Sequence, residues 1–132
     1  MGYVLAVGLG GFVGAVSRYV LTGLVQKLFP QFPASGTLFV NVLGCLLIGF
    51  LMVIVVDQPT EPERVWMSHS LRLFLITGIL GSLTTFSTFG YETVELLRED
   101  RIRLAVLNVL ANLSLGFPAV WLGHTLARAV GY

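Results

Sequence analysis

The sequence predicts an all-α membrane protein with four transmembrane helices per chain, and three observations carry the prediction. Only 11% of its 132 residues are charged, where a soluble domain carries about 25%. Hydrophobic residues make up 55%, and the mean hydropathy is +0.85. A chain this short has too little interior to hide so much apolar surface, so the surface itself is expected to be apolar. The third observation is spacing. Four stretches reach the ~20 mostly apolar residues that a bilayer-crossing helix needs, divided by polar or proline-bearing breaks. The expected organisation is one four-span membrane domain over residues 1–132, with spans at approximately 3–26, 37–56, 71–95 and 104–129.

The first span stops at Gln26-Lys27, before FPQFPASG with Pro30 and Pro33. Its amino end lacks the basic region of a secretory signal, and Arg18 interrupts the apolar run, so it reads as a permanent span. The second span, LFVNVLGCLLIGFLMVIVV, carries Asn41 as its one strongly polar side chain and ends at DQPTEPER, expected to be a wet loop. A short amphipathic lead-in, WMSHSLRL, enters the third span. REDRIR closes the hairpin to the fourth, which Pro118 is expected to bend. Gly10, Gly11, Gly14, Gly44, Gly49, Gly116 and Gly123 fall at spacings that let helices approach closely.

Several function classes are excluded early. A net charge of +1 leaves no basic patch for nucleic acid. Neither a GxxxxGK[ST] phosphate loop nor an HExxH pair occurs. Cys45 is the only cysteine, so no disulfide forms within the chain, and it reads as a small buried hydrophobe. His69, His124 and Cys45 assemble no nucleophile–base pair or metal-ligand set by spacing, and the chain is not expected to be an enzyme. The basic residues divide almost evenly between the two sides of the membrane: Arg64, Arg72 and Arg128 against Lys27, Arg98, Arg101 and Arg103. The positive-inside rule then sets no preferred orientation, and such a chain invites an antiparallel homodimer.

Polar side chains are costly at membrane depth and mark candidate sites. Arg18 either snorkels to the interface or faces a water-filled vestibule. Asn41 either donates hydrogen bonds to a ligand or joins helices. Between Gly78 and Gly90 the third span holds Ser82, Thr84, Thr85, Ser87 and Thr88, interleaved with Phe86 and Phe89. So many hydroxyls beside glycines predict a broken helix, which membranes tolerate only where it is buried or lines a cavity. Carbonyls freed there suit a small hard cation. Phe86 and Phe89 share a helix face, and their positive ring edges can hold an anion loosely; packing is the plainer alternative. Asn108 and Asn112, four apart, form a polar stripe on the fourth span. Glu92 and Glu95 sit near the end of the third, where an interfacial charged face is the simpler account.

GGxxGAxxRY in the first span, GTLxVNxxG in the second and GxxGSLTTFSTFGYET in the third resemble the Fluc (also called CrcB) family of fluoride channels. The similarity runs over essentially the whole chain, with TTFSTF its most specific part; the fourth span fits more loosely, through NxxxNxxxGxxxxxxG. The resemblance implies an antiparallel, dual-topology homodimer with two fluoride pathways and a structural Na+ at the dimer centre, in the bacterial plasma (inner) membrane. It also implies passive exit of fluoride down its electrochemical gradient, giving fluoride resistance. By the same resemblance Phe86 and Phe89 are pore phenylalanines and Asn41 is a donor to fluoride. The third span is broken at Gly81–Thr84, where the carbonyls of Gly81 and Thr84 are offered to sodium; Arg18 shapes the vestibule, and Thr37, Ser87 and Thr88 are pore-proximal hydroxyls. Asn108 and Asn112 depart from the tyrosine and serine expected on that track, although amides also donate hydrogen bonds.

Two other readings compete. A small proton-coupled cationic drug exporter needs a membrane-embedded carboxylate, and the first span has none while the others lie at loops or span ends. A non-transporting membrane assembly subunit needs only packing glycines and anchors, which leaves the Thr/Ser/Phe cluster unexplained.

Overall fold

The computed structural model describes residues 1–56 and 67–131. The DQPTEPER loop, with Arg64, lies outside them. All regular structure among the described residues is helical: α1 (Gly2–Leu28), α2 (Ser35–Val56), α3 (His69–Arg72), a π-helix (Leu73–Leu80), α4 (Gly81–Leu83), α5 (Phe86–Arg98) and α6 (Ile102–Ala129). Four units are long and apolar enough to cross a membrane, namely α1, α2, the composite His69–Arg98 and α6.

The boundaries follow local chemistry. Pro30 and Pro33 lack the N–H groups that would continue α1, and the chain turns instead, with Gln26 Nε2 donating to the Pro33 carbonyl at 2.9 Å. Within the amphipathic lead-in, His69–Arg72 forms α3, capped by Ser68, whose Oγ accepts from the Leu71 N–H at 3.2 Å. Between α5 and α6, Asp100 takes a positive φ of 56°, and the Arg101 N–H returns to the Leu96 carbonyl at 2.9 Å. That left-handed turn closes the helix end and reverses the chain. The fourth helix runs on through Pro118 without interruption, so the expected bend does not divide it.

Helices α2 and α6 pack along their length, and α1 lies against the π-helix. Close approach depends on glycine. A Cβ on Gly49 would fall on the Val120 carbonyl, and one on Gly123 on the Leu46 carbonyl. The buried centre is small: Val40, Leu80 and Leu83, with Leu21, Ile48 and Leu51 packed around them. Large apolar side chains such as Leu9, Phe12 and Trp121 point outward, as expected where the solvent is lipid.

The third span is broken, as the hydroxyl cluster predicts, and the break starts at the far end of the expected Gly81–Thr84 stretch. Gly81 is helical, with φ −62° and ψ −27°. The extended residues are Thr84 (φ −84°, ψ 155°) and Thr85 (φ −153°, ψ 114°). Before the break the helix has already widened over Leu73–Leu80, and the Gly81 N–H reaches back to the carbonyl of Ile76 as well as that of Gly78.

Gly49→Val would drive a side chain into the backbone of α6. The expected loss is at least ~2 kcal/mol of stability, read as an earlier unfolding transition in detergent. An unchanged transition would mean that α2 and α6 do not meet at this glycine.

Candidate functional site

Two threonines set the local geometry of the break. Thr84 ends α4 by turning both its N–H (3.2 Å) and its Oγ1 (3.0 Å) to the Leu80 carbonyl. Thr85 starts α5 as its N-cap, its Oγ1 accepting from the Thr88 N–H at 3.1 Å and donating to Thr88 Oγ1 at 3.0 Å. The Ser87 hydroxyl lies 3.2 Å from Thr85 Oγ1. Ser87 and Thr88 thus belong to a helix cap, and both are exposed.

Asn41 on α2 supplies what the break removes. Its Oδ1 accepts the Thr85 N–H at 2.9 Å, and its Nδ2 donates to the Thr85 carbonyl at 3.3 Å and to Asn112 Oδ1 at 3.1 Å. One consequence concerns Gly81 and Thr84. In an unbroken helix the Gly81 carbonyl would receive the Thr85 N–H, and the Thr84 carbonyl the Thr88 N–H. The first amide goes to Asn41 and the second to Thr85 Oγ1.

A cleft of about 530 Å³ opens beside the break. It is lined by Asn41, Gly44, Cys45 and Ile48 of α2, by Gly81, Thr84, Thr85, Phe86 and Phe89 of the third span, and by Asn112, Gly116 and Phe117 of α6, among others. Phe86 and Phe89 stand with ring centroids 5.5 Å apart and planes tilted by 52°. Phe86 is 82% exposed. Cys45 is not buried as the sequence reading expects; it is partly exposed on the cleft wall.

The polar stripe of α6 turns inward. Asn108 is 0% exposed and receives the Asn112 Nδ2 on its Oδ1 at 3.0 Å and on its carbonyl at 2.9 Å. Its own Nδ2 donates to Thr93 Oγ1 at 2.9 Å. Thr37, also buried, donates to Glu92 Oε1 at 2.7 Å. The helical third span continues to Arg98, and Glu92 is a half-buried carboxylate on it. Its Oε2 is buried with no partner among the described residues. Arg18, half-buried on α1, shares no hydrogen bond with this cluster.

The structure therefore brings Asn41, Asn112, Phe86, Phe89, Gly81 and Thr84 to one cleft, with Asn108 directly behind it. Thr85, Glu92 and Thr93 are the residues that sequence reasoning undervalued. The Thr85–Thr88 spacing is a legible cap signal. Nothing local predicts that Glu92 meets Thr37, or Thr93 meets Asn108.

A family model described as "CrcB-like protein, Camphor Resistance (CrcB)" matches residues 5–124. The chain belongs to the CrcB family. Among its relatives, a fluoride-specific ion channel FluC of Clostridium perfringens is 44% identical over 124 residues, covering 94% of this chain and 92% of that protein. The fluoride-specific ion channel FluC 3 of Methanosarcina barkeri is 41% identical over 127 residues, 96% and 91% of the two chains. The FluC of Campylobacter jejuni is 42% identical over 124 residues, 94% and 96% of the two chains.

The break makes Asn41 a structural residue whatever else it does. Asn41→Leu orphans the Thr85 N–H and the Asn112 Oδ1, and is expected to cost roughly 2 kcal/mol. Thermal unfolding in detergent checks this, and parental stability would show that the break holds without the amide.

Proposed function

We propose that the chain is a fluoride-selective ion channel of the bacterial plasma (inner) membrane, letting fluoride leave passively and so giving fluoride resistance. The observation that carries the reading is the cleft beside the break, whose wall holds both the amides of Asn41 and Asn112 and the paired rings of Phe86 and Phe89. Relatives bearing the name fluoride-specific ion channel, aligned over nearly the whole chain, support it.

The chemistry suits the ion. Fluoride is small and strongly hydrated, so a path must replace its water with hydrogen-bond donors and positive ring edges, each weak enough to release it. Asn41 and Asn112 supply amides, with Asn108 holding Asn112 from behind; Thr37, Ser87 and Thr88 supply hydroxyls; Phe86 and Phe89 supply ring edges. Arg18 contributes positive potential at the approach. With no energy source, flow follows the electrochemical gradient.

The working unit is an antiparallel, dual-topology homodimer. Two facts support it: the balanced basic residues, and Phe86, whose ring is left largely uncovered on the single chain. A structural Na+ at the centre of the pair would be held by the carbonyls of Gly81 and Thr84. Their fit rests on the diversion of the two amides that would otherwise engage them. Such an ion would supply fixed positive charge, and these carbonyls are the hard oxygen donors it prefers.

Glu92 keeps one alternative in view, because a half-buried carboxylate is what a proton-coupled cation exporter requires. Proton-coupled cation uptake without fluoride flux would select that reading.

A fluoride-electrode efflux assay on reconstituted protein, with chloride and sodium-free controls, tests the proposal. Fluoride efflux is expected, and its absence from demonstrably folded dimer would sink the channel reading. Phe89→Ile is expected to cut that efflux by about tenfold or more while leaving the dimer intact. Parental flux would remove Phe89 from the pathway.

A further inference from the structure

We infer that Thr93 is a positioning residue for conduction, its hydroxyl completing a hydrogen-bond circuit that fixes the turn carrying Phe86 and Phe89. The inference rests on the assignment of that turn to the fluoride path.

The circuit starts at the break. The Thr85 N–H donates to Asn41 Oδ1 at 2.9 Å. Asn41 Nδ2 donates to Asn112 Oδ1 at 3.1 Å, and Asn112 Nδ2 to Asn108 Oδ1 at 3.0 Å. Asn108 Nδ2 donates to Thr93 Oγ1 at 2.9 Å, and the Thr93 hydroxyl donates to the Phe89 carbonyl at 2.7 Å. The path leaves α5 at its cap, crosses α2 and α6, and returns to α5 four residues beyond the cap. Every link donates in the same sense. Primary amides and hydroxyls permit this, because each carries an acceptor and a donor on one side chain.

A threonine hydroxyl bonding the carbonyl four residues back is common in helices and implies no role by itself. What distinguishes Thr93 is that the same oxygen accepts from an amide with no exposure to solvent. Without that oxygen, Asn108 Nδ2 loses this partner in the interior. Its simplest repair is to rotate the amide, which withdraws Oδ1 from Asn112. Asn112 in turn is the acceptor for Asn41, and Asn41 holds the Thr85 N–H. A loss at Thr93 therefore reaches both ends of the phenylalanine-bearing turn: the Phe89 carbonyl directly, and Thr85 through three amides. Chains of this kind reinforce one another in a dry interior, so their members act together.

The test compares fluoride efflux from proteoliposomes holding the parental chain, Thr93→Val, Thr93→Ser, Asn108→Leu, and Thr93→Val with Asn108→Leu. Thr93→Val is expected to slow efflux about tenfold, the scale of one unmade buried hydrogen bond, and Thr93→Ser to restore it. Parental efflux in Thr93→Val would overturn the inference. So would a Thr93→Ser protein as slow as Thr93→Val, since volume and not the hydroxyl would then matter. The double substitution separates the two routes: with the amide gone, adding Thr93→Val removes only the bond to the Phe89 carbonyl and is expected to slow efflux less than Thr93→Val does in the parental chain, and an equal drop overturns the circuit. Should Thr93→Val fail to fold, Thr93→Ala takes its place in both backgrounds with the same outcomes expected. No efflux from the folded parental dimer would overturn the channel reading and this inference with it. Parental efflux beside an indifferent Thr93→Val overturns the inference alone.

Discussion

A membrane helix that stops halfway exposes backbone N–H and C=O groups where there is no water to receive them. Each unsatisfied group costs several kcal/mol in hydrocarbon, on the order that excludes irregular backbone from lipid altogether. The break at Thr84–Thr85 is the point of greatest risk in this fold, and much of its polar chemistry is arranged around it. Asn41 takes both polar groups of the Thr85 backbone. The side chain of Thr85 caps the next helix, and that of Thr84 closes the previous one. Asn112 and Asn108 then hold Asn41 in place from the neighbouring helix.

This arrangement makes structural and functional readings of Asn41 compatible rather than rival. Joining helices and meeting a ligand are both things an amide does with the same atoms. Both Nδ2 contacts of Asn41 go to protein partners, so an anion competing for that donor takes it from the Thr85 carbonyl or from Asn112. Such an exchange of near-equal bonds is the kind of contact from which an ion can also leave.

The four spans and most of their limits are legible in the sequence, because apolar runs and prolines are local signals. The composite third span is legible as broken, since hydroxyls crowd between two glycines. Its exact place is not. The expected stretch Gly81–Thr84 contains its first extended residue but not its second, because the chain bends where a partner on another helix receives the freed amide, and Asn41 is 44 residues away from Thr85. The same limit explains Glu92. Its neighbours in sequence mark a charged helix end, while its hydroxyl partner Thr37 lies 55 residues away. Asn108 and Asn112 are recognisable as a stripe, but the direction they face depends on Thr93 of α5, which no spacing rule within α6 contains.

The amide circuit also has a direction, since all its donors point from Asn41 towards Phe89. The loop closes within one chain, so no single amide can turn by itself: reversing Asn112 alone would set nitrogen against nitrogen at Asn41 and oxygen against oxygen at Asn108. The three amides are thus oriented as one unit, fixed by Thr93 at one end and by the Thr85 backbone at the other.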